Sequence, residues 1–128
     1  MAMFLAQQWY QSFSSVLEGN RDVVRELREA SLQSDLGRWT ASLTDVVVAS
    51  FNDMGFPAAA KGHKCTVLPI RMQEYLALDV MGFPQTSKAP WRFPLLVAEL
   101  ENSLKDDRVA YSLWKVMSVR AALRIVFC

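Results

Sequence analysis

Apolar residues recur at helical spacing through the first half of the chain. Leu5, Trp9, Phe13, Val16 and Leu17 share one stripe, and Gly19-Asn20 ends the run. Asn20 predicts the cap of a second helix, with Val23, Val24, Leu27 and Ala30 inward and Arg21, Arg25, Glu26, Arg28 and Glu29 outward. Ser34 or Asp35 predicts the start of a third, burying Leu36, Trp39, Leu43, Val46, Val47 and Phe51. Beyond Met54-Gly55-Phe56-Pro57 the period shortens. Residues 65–70, 74–81 and 93–101 read as three strands, the last so apolar that it belongs in the middle of a sheet. Residues 84–90 form a polar loop between the second and third. Asp106 or Asp107 can cap a fourth helix running to about Arg120, with Val109, Leu113, Val116 and Met117 as its core positions. Residues 123–127 read as a fourth strand, either at a sheet edge or continuing onward.

Helices, three strands, a helix and a strand predict an α/β (mixed α+β) fold: a central four-stranded mixed sheet flanked by helices. The link between the third and fourth strands, about 20 residues, is long enough for a crossover that makes those two strands parallel. A length of 128 residues fits a single domain, and 52% hydrophobic against 21% charged residues excludes a disordered chain. With 14 basic and 13 acidic residues the net charge is +1, which excludes a basic coat for nucleic acid but leaves room for a local basic groove. One histidine, His63, excludes a zinc site built from several histidines, and two cysteines make no disulfide framework. The apolar N-terminal stretch lacks a basic leader and a cleavage site, and no run approaches the roughly 20 residues of a membrane span. The expectation is a cytoplasmic protein with reduced thiols and no membrane contact.

The chemistry concentrates in three acids. Glu99 and Glu101 are two apart, so on a strand they share a face, and the apolar run 95–98 delivers them together. Asp79 closes a second apolar run, 75–78, and an antiparallel neighbour in the right register would bring it to them. Carboxylates this close repel and are poorly solvated, and a divalent cation relieves both penalties. Magnesium takes oxygen ligands, commonly one or two carboxylates plus a substrate phosphate, and a bound metal can activate water against a phosphodiester. The plain alternative is that these acids lie in solvent at strand ends, paired with Arg92 or Arg124.

The segments Leu78-Asp79-Val80, Val97-Ala98-Glu99-Leu100-Glu101-Asn102-Ser103 and Tyr111-Ser112-Leu113-Trp114-Lys115, in this order of elements, resemble the PD-(D/E)xK nuclease superfamily. That resemblance implies a restriction-endonuclease-like αβββαβ core over residues 34–128, with residues 1–33 as a helical extension. It implies a metal-dependent nuclease acting on nucleic acid, DNA foremost, with Mg2+ or Mn2+ bound by Asp79 and Glu99. Glu101 stands where the family has its lysine, and is a third candidate ligand; no proline precedes Asp79. The lysine then comes from the following helix. Lys115 is the best candidate, four residues from Tyr111 on a face of its own, and Lys105 is the weaker one. With the family's sequential strand order, Cys65 and Cys128 lie about three strand spacings of roughly 4.8 Å apart, beyond disulfide reach.

Lys88 and Arg92 beside Asp79, with Lys105 after the acids, are candidate phosphate contacts. Asp45, Glu26 and Glu29 are remoter candidates for an added acid. His63, in a basic turn, is a candidate phosphate contact or an ordinary exposed loop residue. Trp9 and Tyr10 offer a face for a homodimer. Two rival readings stand beside the nuclease: a catalytically inactive nuclease-fold module for binding or assembly, and an interaction protein whose acids only form salt bridges.

Overall fold

Two short polar side chains punctuate the helical half. Asn20 Oδ1 accepts the Val23 N–H at 3.1 Å, and Asp35 Oδ1 accepts the Arg38 N–H at 3.2 Å. These caps separate α1 (Ala2–Glu18), α2 (Arg21–Leu32) and α3 (Leu36–Asp53). Asp35 rather than Ser34 is the third helix's cap, Ser34 taking the left-handed turn before it (φ 54°). Arg38 joins the two caps' helices by reaching Glu26 at 2.7 Å and Glu29 at 3.6 Å, so those acids serve α2–α3 packing. The computed structural model describes residues 2–63, 65, 67, 78–85 and 92–128.

Among the described residues, the remaining elements are β1 (Ala58–Ala60), β2 (Val80–Gly82), β3 (Leu96–Leu100), α4 (Asp106–Met117) and β4 (Leu123–Phe127). They form one mixed four-stranded sheet in the order β1-β2-β3-β4. β1 to β2 and β2 to β3 are antiparallel, and β3 to β4 is parallel across the α4 connection. Helices cover both faces, as expected for the class.

Alternation along the strands sorts the core. On one face Val80, Leu96, Ala98, Leu100 and Leu123 meet Leu43, Val47 and Phe51 of α3. α1 completes this side. Trp9 stacks on Phe13 at 5.0 Å, and both rings contact Phe127 of β4. Trp9 therefore packs half-buried against the core, while Tyr10 is exposed. On the other face Met81, Phe83 and Val97 meet Val116 of α4.

Three boundaries differ from the sequence reading. The first described strand is the alanine run 58–60, ahead of the expected 65–70. Alanine is a weak strand former, but small side chains suit a strand buried on both faces. Of the expected strand, Cys65 and Val67 lie outside any strand, and residues 66 and 68–70 are outside the described residues. The second strand starts at Val80, so Asp79 stands at its beginning rather than its end; residues 74–77 of the expected strand are not among those described. The third starts at Leu96, since Phe93 is exposed and Pro94 has no N–H for a ladder.

α4 is rotated from its expected phase and ends at Met117. Its buried residues are Ser112 and Val116, whereas Leu113 and Met117 are exposed. The reason is on the sheet: the strand face beneath α4 carries Glu99 and Glu101, and a wholly apolar helix stripe would leave both without partners. Among the described residues, no helix is long and apolar enough to cross a membrane.

Candidate active site

Asp79 and Glu99 meet because of register. Val80 opposes Ala98 in the antiparallel β2–β3 pair, so one step further residues 79 and 99 stand opposite each other. Period-two alternation puts both on the α4 face, with Met81 and Val97. Asp79 Oδ2 accepts the Leu100 N–H at 2.8 Å, which fixes its carboxylate against the end of β3. The Asp79 carboxyl stands close enough to Glu99 to disfavour its ionised form.

α4 supplies the cation. Lys115 Nζ lies 2.5 Å from Glu99 Oε1, with only 2% of the Glu99 side chain and 21% of the Lys115 side chain exposed. The same ammonium sits 5.4 Å from the centre of the Tyr111 ring. Burial, then the hydrogen bond and charge of Asp79, push the Glu99 carboxyl from 4.5 up to about 8, against the pull of Lys115. Burial works against the Lys115 ammonium, but Glu99, Asp79 and Tyr111 outweigh it and hold its pKa above the ordinary lysine value. The cluster thus holds two carboxyl groups and one ammonium, and below about pH 8 it retains a proton on Glu99.

Glu101 shares the α4 face but has other partners. Its Oε1 accepts the Ser103 N–H at 2.9 Å, and its Oε2 accepts the Ser112 hydroxyl at 3.0 Å. Sequence reasoning missed Ser112. Its one signal is its place in line with Val109 and Val116, three residues before Lys115. Together the two β3 acids meet two α4 residues: Glu99 meets Lys115, and Glu101 meets Ser112.

Neither arginine caps the acids. Arg124 donates from Nε to Val116 O at 2.9 Å and from Nη2 to Val119 O at 3.0 Å, closing the C-terminal end of α4. Arg92 reaches Pro84 O at 3.4 Å. Lys105 is exposed just before α4, and Lys88 lies outside the described residues. Asp45 and His63, two unrelated candidates in the sequence, pair with each other at 2.7 Å. Cys65 and Cys128 are free thiols.

Asp79 and Glu99 suit a hard divalent cation: both ligand groups are carboxylates, and they already crowd each other enough to hold a proton. Glu101 does not join them, and among the described residues no three His, Cys, Asp or Glu side chains gather to hold an ion. A metal here would rest on two carboxylates, with water completing its shell. The chain matches no protein-family model, no curated protein and no solved structure.

Proposed function

We propose that Asp79, Glu99 and Lys115 form the active centre of a metal-dependent, nuclease-like phosphodiesterase acting on nucleic acid, DNA foremost. The observation that carries this reading is the opposition of two strand carboxylates with a lysine from the crossover helix set against them. The order α3, β1, β2, β3, α4, β4 supports the resemblance to the PD-(D/E)xK superfamily. Asp79 and Glu99 would hold Mg2+ or Mn2+, which supplies an activated water and positive charge for a phosphodiester oxygen. Lys115 is the group to orient that water or to stabilise charge developing on the phosphate. Arg92 and Lys105, with Lys88, are the candidate contacts to the backbone.

A second reading has its own observation. Lys115 already occupies Glu99 Oε1, and Glu101 is committed to Ser103 and Ser112, which suits a fold that binds nucleic acid without cutting it. Calorimetric titration of the wild type and Glu99→Ala with Mn2+, followed by incubation with labelled single- and double-stranded DNA, separates them. Metal binding lost in Glu99→Ala, together with Mn2+-dependent cleavage, supports the enzyme. Binding of DNA without cleavage supports the module. Absence of Mn2+ binding in both proteins overturns the active centre.

A further inference from the structure

The outer rim of α4 carries two aromatic rings that the core does not use. Tyr111 is 56% and Trp114 63% exposed, and their rings stack at 6.1 Å with 26° between planes. Isolated exposed aromatics are ordinary. These two differ in being preassembled and in touching the proposed active centre, because Lys115 sits over the Tyr111 ring while its ammonium pairs with Glu99. Arg108, Tyr111 and Lys115 follow one another at three and four residues, so one stripe reads cation, ring, cation. The exposed Lys105 lies one turn before it. Asp106 and Asp107 are also in the first turn, where the helix dipole favours acids.

We infer that Tyr111 and Trp114 are a stacking platform for an unpaired nucleobase, with the exposed Arg108 and Lys105 beside it for the phosphates. The substrate class of the site, granted the nuclease reading above, is then single-stranded nucleic acid or an unpaired end. Stacking needs a free base face, which a duplex offers only at its ends, and it tolerates any base because each has such a face. Contact with Lys115 makes the platform continuous with the carboxylates, so a base lying on the rings brings its own phosphate toward Asp79 and Glu99. The exposed Arg108 and Lys105 match that phosphate in charge, as they would not match an aliphatic partner.

Fluorescence anisotropy with a labelled oligothymidylate and a blunt duplex of equal length, in EDTA at low salt, tests this on the wild type, Tyr111→Ala and Trp114→Ala. The oligothymidylate should bind more tightly than the duplex, and each substitution should weaken it about tenfold without moving the thermal midpoint. Unchanged oligothymidylate binding in both variants overturns the platform. So does sedimentation velocity in which Trp114→Ala dissociates a wild-type dimer while DNA binding stays the same, since that assigns the face to a second copy. Mn2+ calorimetry keeps the two proposals apart. Normal metal binding with ring-independent DNA binding removes the platform alone, and ring-dependent DNA binding without metal binding removes the active centre alone.

Discussion

Lys115 Nζ of α4 and Glu99 Oε1 of β3 stand 2.5 Å apart, with the glutamate side chain almost wholly buried. The pair joins the crossover helix to the centre of the sheet at the point where Asp79 arrives from β2. Its energetics are set by three groups, not two, because Asp79 opposes the charge that Lys115 favours.

The first consequence is a pH dependence of stability. The folded chain holds the Glu99 proton up to about pH 8, whereas the unfolded chain releases it near 4.5. Between those values the native state binds more protons, so stability falls as pH rises through the window and levels off above it. At about 1.4 kcal/mol for each pKa unit, the loss amounts to a few kcal/mol. Urea midpoints measured in EDTA across that range should decline for the wild type and stay nearly flat for Glu99→Gln. A wild-type midpoint that climbs instead would contradict the buried carboxyl.

Removing the lysine should reveal the same charge from the other side. Lys115→Met leaves Asp79 and a buried Glu99 without their cation, a change expected to destabilise the fold by about 3 kcal/mol. The defect should be largest above pH 8, where Glu99 is ionised, and should shrink in acid, where it is neutral. Denaturant melts of this variant at both extremes measure the difference. An equal loss at both would mean that the lysine matters for packing alone.

Asp79→Asn separates charge from hydrogen bonding. The amide oxygen can still accept the Leu100 N–H, but the like charge beside Glu99 is gone. Carboxyl-carbon NMR should then find the Glu99 titration moved down toward 4.5. Stability near pH 8 should rise while Mn2+ affinity falls. A residue whose loss helps the fold and harms the ligand is placed for function rather than structure.

Glu101 and Ser112 should behave as a clamp. A double-mutant cycle of Glu101→Gln and Ser112→Ala is expected to give a coupling of about 1.5 kcal/mol, as for a hydrogen bond to a charged group. Mn2+ affinity of Glu101→Gln should stay close to that of the wild type. A large loss of affinity would restore Glu101 as a ligand.

The caps at Asn20 and Asp35, the apolar third strand and the parallel fourth were legible in the chain, because each rests on local chemistry or on a short-range period. The strand at residues 58–60 was not. Three alanines carry no β signal, and their burial comes from α3 and β2, which are distant in sequence. The phase of α4 failed for a related reason. The most apolar stripe points inward at Val116 but not at Leu113 or Met117, because the sheet beneath demands a lysine and a serine. Asp79, Glu99 and Lys115 were each visible singly, by residue type and spacing. That Asp79 stands opposite Glu99 depends on a register no local pattern encodes, and Glu101's departure from the pair depends on Ser112.

Arg124 gives the arrangement a kinetic side. Lys115 belongs to the last turn of α4, the part of a helix that unravels first and exchanges its amide protons fastest. The Arg124 guanidinium bridges β4 to the carbonyls of Val116 and Val119, stitching that turn to the sheet. Arg124 thus touches neither acid, yet it anchors to the sheet the turn from which Lys115 reaches Glu99.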